Sequence, residues 1–265
     1  MMSDRQLAFI RQAARQKRII LGLRLLIFVL FIALWEISTK LEWIDSFIFS
    51  SPSRILFCFL EMAESPTIFY HVGVTLGETF FSFFLVIVIG ILLAVLLWWN
   101  ETVARVLEPY LVVLNSLPKT ALAPVFIVWL GNNMKTIIVA AVSVAVFSTT
   151  ITLYNTFQEM DPGKIKMIRT LGGQKKDILC KLILPGNVPA IISAMKVDIG
   201  LTLVGVIIGE FVAAKAGLGY LIIYGSQVFK LDYVLLSIVI LCLISTGLYL
   251  LISLLEKLCL KHYSV

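Results

Sequence analysis

Four ionisable side chains stand inside otherwise apolar stretches: Lys119, Lys196, Asp198 and Glu210. A charge so placed is costly and first invites a functional explanation. Lys119 sits between Pro118 and Pro124, and prolines remove backbone donors and leave carbonyls open. Two uses of that lysine stand side by side: a cation lining a watery path and attracting an anion, or a clamp on an acid or on freed carbonyls. Glu210 carries the same choice between gating the mouth of its stretch and structural pairing. Lys196 and Asp198 are two residues apart, so on a helix they do not face each other; each is expected to find a partner elsewhere, a second copy of the chain included. Metal chemistry is not expected. His71 and His262 stand alone, and Cys58, Cys180, Cys242 and Cys259 have no ligand spacing. No G-x-x-x-x-G-K-[ST] phosphate loop and no facing nucleophile and base occur, so the chain is not expected to be an enzyme or to hold a cofactor.

The elements that must position these residues follow from composition. Of 265 residues, 60% are hydrophobic and only 14% charged, with a mean hydropathy of +0.99. Soluble domains carry about 25% charged residues, so a soluble enzyme, a disordered chain and a nucleic-acid binder are excluded in favour of an all-α integral membrane protein. A bilayer core needs about 20 apolar residues per helix. Six spans meet that need: Ile19 to Thr39, Phe80 to Trp99 with a start nearer Tyr70, Arg105 to Leu130 broken by Pro118 and Pro124, Thr136 to Phe157, Val188 to Ala213, and Tyr233 to Leu255. Gly205 and Gly209 have the small-xxx-small spacing of a packed helix, and Glu78 is expected at an interface.

Six spans return both termini to one side. That side collects 15 basic residues against 5 on the other, mostly in the N-terminal arm and the loop after the fourth span. The positive-inside bias makes it cytoplasmic. Residues 1–18 read as an interfacial arm, with a helix along the membrane surface over 4–18, and 19–265 as the transmembrane domain.

The loop at about 158–187 has its own pattern. Asp161-Pro162 is a helix start, Ile165, Ile168 and Leu171 recur at helical spacing, Gly172-Gly173 permits a sharp elbow, and a second short helix ends at Leu184-Pro185. Arg169-Thr170-Leu171-Gly172, nine residues, then Leu182-Ile183-Leu184-Pro185 resembles the EAA loop of binding-protein-dependent ABC importer permeases. The family's E-A-A reads Lys166-Met167-Ile168 here. Gly209-Glu210-Phe211 with Gly217-Leu218-Gly219-Tyr220-Leu221, and Ser116-Leu117-Pro118-Lys119 with Pro124 and Trp129-Leu130-Gly131, are similar to the nitrate/sulfonate/taurine branch.

The resemblance implies a type I importer permease fold in a prokaryotic inner membrane. It also implies a dimer, favoured as a homodimer, with two ATPase subunits that bind ATP and Mg, and an extracellular solute-binding protein. The helix after Gly172-Gly173 would be the coupling helix. Arg169, Leu171, Gly172, Gly173, Lys175, Lys176, Leu184 and Pro185 would make the ATPase-coupling loop, and Pro118, Lys119 and Glu210 would lie on the translocation pathway. The imported solute would be small and anionic (sulfonate, taurine or nitrate-like) or a small aromatic. The alternative is a secondary transporter driven by an ion gradient, which calls for midplane acids and repeat symmetry.

Overall fold

The computed structural model describes residues 4–263, and the side chains of residues 15, 16 and 18–259. Every regular element among them is helical. Helix α1 runs from Asp4 to Lys40, α2 is Ser46–Phe49 and α3 is Pro52–Glu64. Helix α4 is Thr67–Trp99, starting three residues before the expected Tyr70. The surface helix expected over 4–18 is continuous with the first span. At 1.5 Å per residue, α1 is about 56 Å long and outruns a bilayer core of about 30 Å. Leu7, Phe9 and Ile10, the apolar residues of that arm, lie outside the described side chains.

The third span is two helices, α5 (Glu101–Ser116) and α6 (Lys119–Leu130), meeting at 96°. Leu117 precedes a proline and is held extended, at φ −63° and ψ 138°. Pro118 then caps α6. Helix α7 is Met134–Gln158. The following loop holds α8 (Pro162–Thr170), α9 (Lys175–Ile178), a π-helical turn over Leu179–Ile183 and α10 (Leu184–Gly186). Helix α11 is Val188–Ala213, α12 is Leu218–Gln227 and α13 is Leu231–Tyr263.

Packing fixes the number of crossings. Ala94 near the end of α4 and Leu153 and Phe157 near the end of α7 share one core with Ile178, Leu179 and Ile183 of the loop. Helices α4 and α7 therefore run parallel and finish at the same face, so the chain between them must cross back. The bent pair α5–α6 is that crossing, a broken span rather than a shallow re-entrant loop. With α1, α4, α7, α11 and α13 it makes six, and both described chain ends lie on the loop face.

Close approach holds the centre together. A Cβ on Gly205 would stand 2.6 Å from the Ala141 Cα, and one on Gly209 would stand 2.8 Å from the Ile137 Cα. The small-xxx-small stripe thus packs α11 on α7 within one chain. Hydroxyls on α4 and α7 donate to carbonyls of the preceding turn: Thr79 to Thr75 O at 2.7 Å, Thr149 to Ala145 O at 2.9 Å and Thr150 to Val146 O at 2.7 Å. This is how a polar residue survives inside an apolar bundle. Helix α1 stands apart. No residue of its apolar window is buried; Trp35 touches the core of α3, α12 and α13, and Glu36 accepts from Ser53 N at 3.1 Å and Ser53 Oγ at 2.9 Å.

Candidate functional site: a capped loop, a broken span and a buried carboxylate

The loop begins with Asp161, whose carboxylate accepts the Gly163 amide at 2.7 Å and starts α8 behind Pro162. The far end of α8 closes in a Schellman arrangement. Gly173 N–H donates to Ile168 O at 2.9 Å and Gly172 N–H to Arg169 O at 3.0 Å, with Gly172 at φ +81°. Gly172 is thus required for its left-handed backbone. Gly173 is required for space, because a Cβ there would lie 2.5 Å from Ile168 Cγ2 and 2.9 Å from Ile168 O. After the elbow the Gln174 amide donates to Asp177 at 3.0 Å. The Lys181 ammonium at 2.7 Å, with that amide, holds the Asp177 carboxyl below the usual aspartate range, and the carboxylate in turn raises the lysine.

The two short helices differ in how deeply they are buried. The helix after the elbow is anchored: Ile178, Leu179 and Ile183 are buried against α4 and α7. The helix before it rests on that core through Ile165 and Ile168 and exposes its other side, with Met167 62% exposed and Leu171 76% exposed at its tip. Arg169, Gly172, Lys175 and Lys176 are also exposed, whereas Gly173, Leu184 and Pro185 are half-buried. Leu184 packs on the loop core, and Asn187 below it donates to Ile183 O at 2.8 Å. Lys175 ties the anchored helix to α4. Its ammonium donates to Trp99 O at 2.6 Å and lies 5.5 Å and 5.9 Å from the Trp98 and Trp99 ring centres.

Lys119 sits at the bend of the broken span. Its ammonium donates to the carbonyls of Leu114, Asn115 (2.9 Å) and Leu117 (3.1 Å), and lies 5.7 Å from the Phe147 ring centre. Those carbonyls end α5, where no helical amides follow to satisfy them. Of its two expected uses, the structure displays the clamp on freed carbonyls. Pro118 is exposed beside it.

Glu210 is 1% exposed. Its carboxylate accepts from Thr75 Oγ at 2.7 Å and from the Gly219 amide at 2.5 Å. The Leu218 amide donates to Thr75 Oγ at 2.8 Å, and the Gly217 amide to His71 Nδ1 at 2.9 Å. The sharp link between α11 and α12 is thereby knotted onto α4. Gly217 has φ +116°, and a Cβ there would fall within 2.6 Å of Glu210 Oε2. Lys119 and Glu210 belong to different constellations: the bend clamp uses α5 and α6, the knot uses α4, α11 and α12.

Two sequence expectations are corrected. Glu78 is not interfacial but 4% exposed, with its carboxyl beside that of Glu210. Lys196 needs no second copy, because it bonds Glu256 of α13 at 2.6 Å. Sequence reasoning took His71 only as a lone histidine, passed over Thr75, and gave Lys175 a place in the loop without its contacts to Trp98 and Trp99. The signal for the first two was present: His71, Thr75, Thr79 and Ser82 form a polar stripe at helical spacing along an apolar span.

Comparison with known proteins places this architecture. Residues 86–260 match the family described as binding-protein-dependent transport system inner membrane component. The formylaminopyrimidine transport permease protein ThiX of Halalkalibacterium halodurans is 30% identical over 195 residues, 74% of this chain and 77% of that protein. The putative aliphatic sulfonates transport permease protein SsuC of Bacillus subtilis is 24% identical, covering 89% of this chain and 86% of its own. The taurine transport system permease protein TauC of Escherichia coli is 22% identical, covering 82% and 80%. In fold, a chain of the inward-facing MetNI methionine ABC transporter superposes with a TM-score of 0.63 at 22% identity, over 72% of this chain and 97% of that one. A loop capped at both ends beneath a six-crossing bundle, and a match that runs unbroken from α4 into α13, make the chain a member of the binding-protein-dependent transport system inner membrane component family, the permeases of ABC importers.

Proposed function

We propose that this permease carries a small polar solute inward from a solute-binding protein, as one of two identical chains driven by two ATPase subunits on the loop face. That face is the cytoplasmic one, in keeping with the bias of basic residues toward it. The observation that carries the reading is the free end of α8. Met167 and Leu171 are large apolar residues held in water by a rigid elbow. An exposed apolar tip on a stiff mount suits insertion into a cleft of another protein. The inserted element is α8 with Leu171, while α9 and its π-helical extension transmit the push to α4 and α7 through Ile178, Leu179 and Ile183.

Relatives named for aliphatic sulfonates, taurine and formylaminopyrimidine support a solute that is a sulfonate-like anion or a small nitrogen heterocycle. The Lys119 ammonium, spent on three carbonyls, favours discrimination by the binding protein over an anion site at the bend.

The test is purification of the transporter with its encoded ATPase. Leu171→Asp should leave the thermal stability of the permease nearly unchanged, since Leu171 is 76% exposed, and should lower ATPase co-purification at least tenfold, the scale of a lost interface anchor. Undiminished co-purification and transport in Leu171→Asp and in Met167→Asp would sink the docking reading.

A further inference from the structure

Between the base of the loop and the α4–α5 corner lies a cleft of about 320 Å³, walled by Trp98, Glu101, Gln158, Ile165, Arg169 and Lys175. Its cations are set differently. Lys175 is fixed at the lip by Trp99 O and the two indoles, which leaves two of its three N–H donors open. Arg169 forms no ion pair among the described residues, and its planar fork suits two oxygens of a phosphate. The one acid on the wall, Glu101, turns its carboxylate to Arg105 at 2.6 Å, both side chains being exposed. Trp98 and Trp99 end a 33-residue apolar helix, and indoles in that position sit at headgroup depth.

We infer that this cleft binds the phosphate of an anionic phospholipid, with Arg169 and Lys175 on the phosphate and Trp98 and Ile165 against the upper acyl chain. The inference rests on the reading of this face as cytoplasmic, where the anionic leaflet lies. A free phosphate offers the same oxygens, but it has no use for the indole and isoleucine wall. On the loop side the cleft is closed by Arg169, in the last turn of α8 and two residues before the exposed tip at Leu171. A bound lipid would brace α9 against the α4–α5 corner, the joint through which loop motion reaches the bundle.

The experiment uses the full transporter in nanodiscs, with Trp35, Trp43 and Trp129 changed to Phe so that Trp98 and Trp99 report. Brominated-chain phosphatidylglycerol should quench them at a several-fold lower mole fraction than brominated-chain phosphatidylcholine. Arg169→Gln should cut that preference about fivefold, the weight of one basic residue at a charged surface. Arg169→Lys, which keeps charge but loses the fork, should fall between, and Lys164→Gln, an exposed loop cation outside the cleft, should change nothing. Equal quenching by the two lipids, or an equal loss in Lys164→Gln, overturns the site in favour of diffuse surface charge. Displacement of the lipid by millimolar inorganic phosphate overturns it in favour of a soluble anion. ATPase co-purification of Leu171→Asp read in the same preparations separates the two proposals, since undiminished co-purification with an intact lipid preference counts against the docking reading alone.

Discussion

The two faces of the molecule each carry a glycine turn closed by hydrogen bonds, and they are built to opposite ends. On the loop face, Gly172 and Gly173 turn the chain through backbone bonds alone, and nothing lies within 4 Å of where a Gly172 Cβ would be. On the far face, Gly217 and Gly219 are pressed against the Glu210 side chain, with Thr75 and His71 completing the contact. One turn is stiff and open, the other stiff and filled. A stiff open turn presents a surface to a partner, whereas a filled one holds its own helices in register. Conformational cost should therefore appear as lost coupling at the first and as lost folding at the second.

The largest effect is expected where the turn is filled. Gly217→Ala imposes a positive φ on alanine and drives a methyl group into the Glu210 carboxylate, so it combines backbone strain with a steric clash. We expect a loss of about 3 kcal/mol or more, read as a large drop in thermal stability in detergent and low yield from the membrane. Glu210→Gln is the milder probe of the same knot. Its amide cannot accept at both Thr75 and Gly219, and one unsatisfied buried donor costs about 1–3 kcal/mol. A wild-type melting temperature in both variants would remove the contrast between the two turns.

The open turn should break differently. Gly172→Val meets no neighbour and faces only the left-handed backbone, a cost of about 1–2 kcal/mol. Gly173→Val collides with Ile168 and forces α8 to swing. Both chains should still insert and fold, while ATP-driven uptake falls at least tenfold in Gly173→Val and less in Gly172→Val. The comparison is sharpened by measuring melting temperature and uptake on the same preparations. Parallel losses of both would mean that the loop is part of the folding core after all.

Legibility in the sequence follows the same division. Spans, the broken helix at Pro118 and the glycine elbow were readable because each rests on local chemistry: apolar length, a missing amide, a positive φ. What could not be read was which short loop helix would be the more deeply buried. Ile178, Leu179 and Ile183 look no more apolar in order than Ile165, Met167, Ile168 and Leu171, and only the converging ends of α4 and α7 decide between them. Glu78 was misplaced for a related reason. Its distance along the chain from the start of a span suggests an interface, but α4 extends to Thr67 and carries Glu78 three turns inward, next to Glu210. Lys196 found its partner 60 residues away on α13, a pairing that sequence separation cannot disclose.

A smaller effect is expected at Lys119, which belongs to neither turn but closes a helix end in the manner of the loop cap. Lys119→Met keeps the aliphatic stem and leaves the carbonyls of Leu114, Asn115 and Leu117 to find other donors. The bend is largely exposed, so water or lipid headgroups can answer part of the loss, and we expect about 1–2 kcal/mol. Uptake should weaken through reduced turnover, with the apparent affinity for solute unchanged. A raised half-saturation concentration at normal turnover would restore the anion-lining role that the carbonyl contacts argue against.

The smallest effect separates a fastening from a charge. Asp177 and Lys181 both face water, and each favours the ionised form of the other. The carboxyl is depressed, so its contribution to the loop is present above the ordinary aspartate range and is lost as pH falls through its lower folded value. The lysine is raised, so its contribution is present below the ordinary lysine range and is lost as pH rises through its higher folded value. Between about pH 6 and pH 8 neither titrates. Exchange of the amides from Gln174 to Ile178, corrected for the intrinsic rate, should be flat across that window. Asp177→Asn should quicken it slightly at every pH in the window and leave the Gly217–Glu210 knot untouched. A step in wild-type exchange within that window would show that another group governs the anchored helix, and would make the loop face as dependent on side-chain chemistry as the far face.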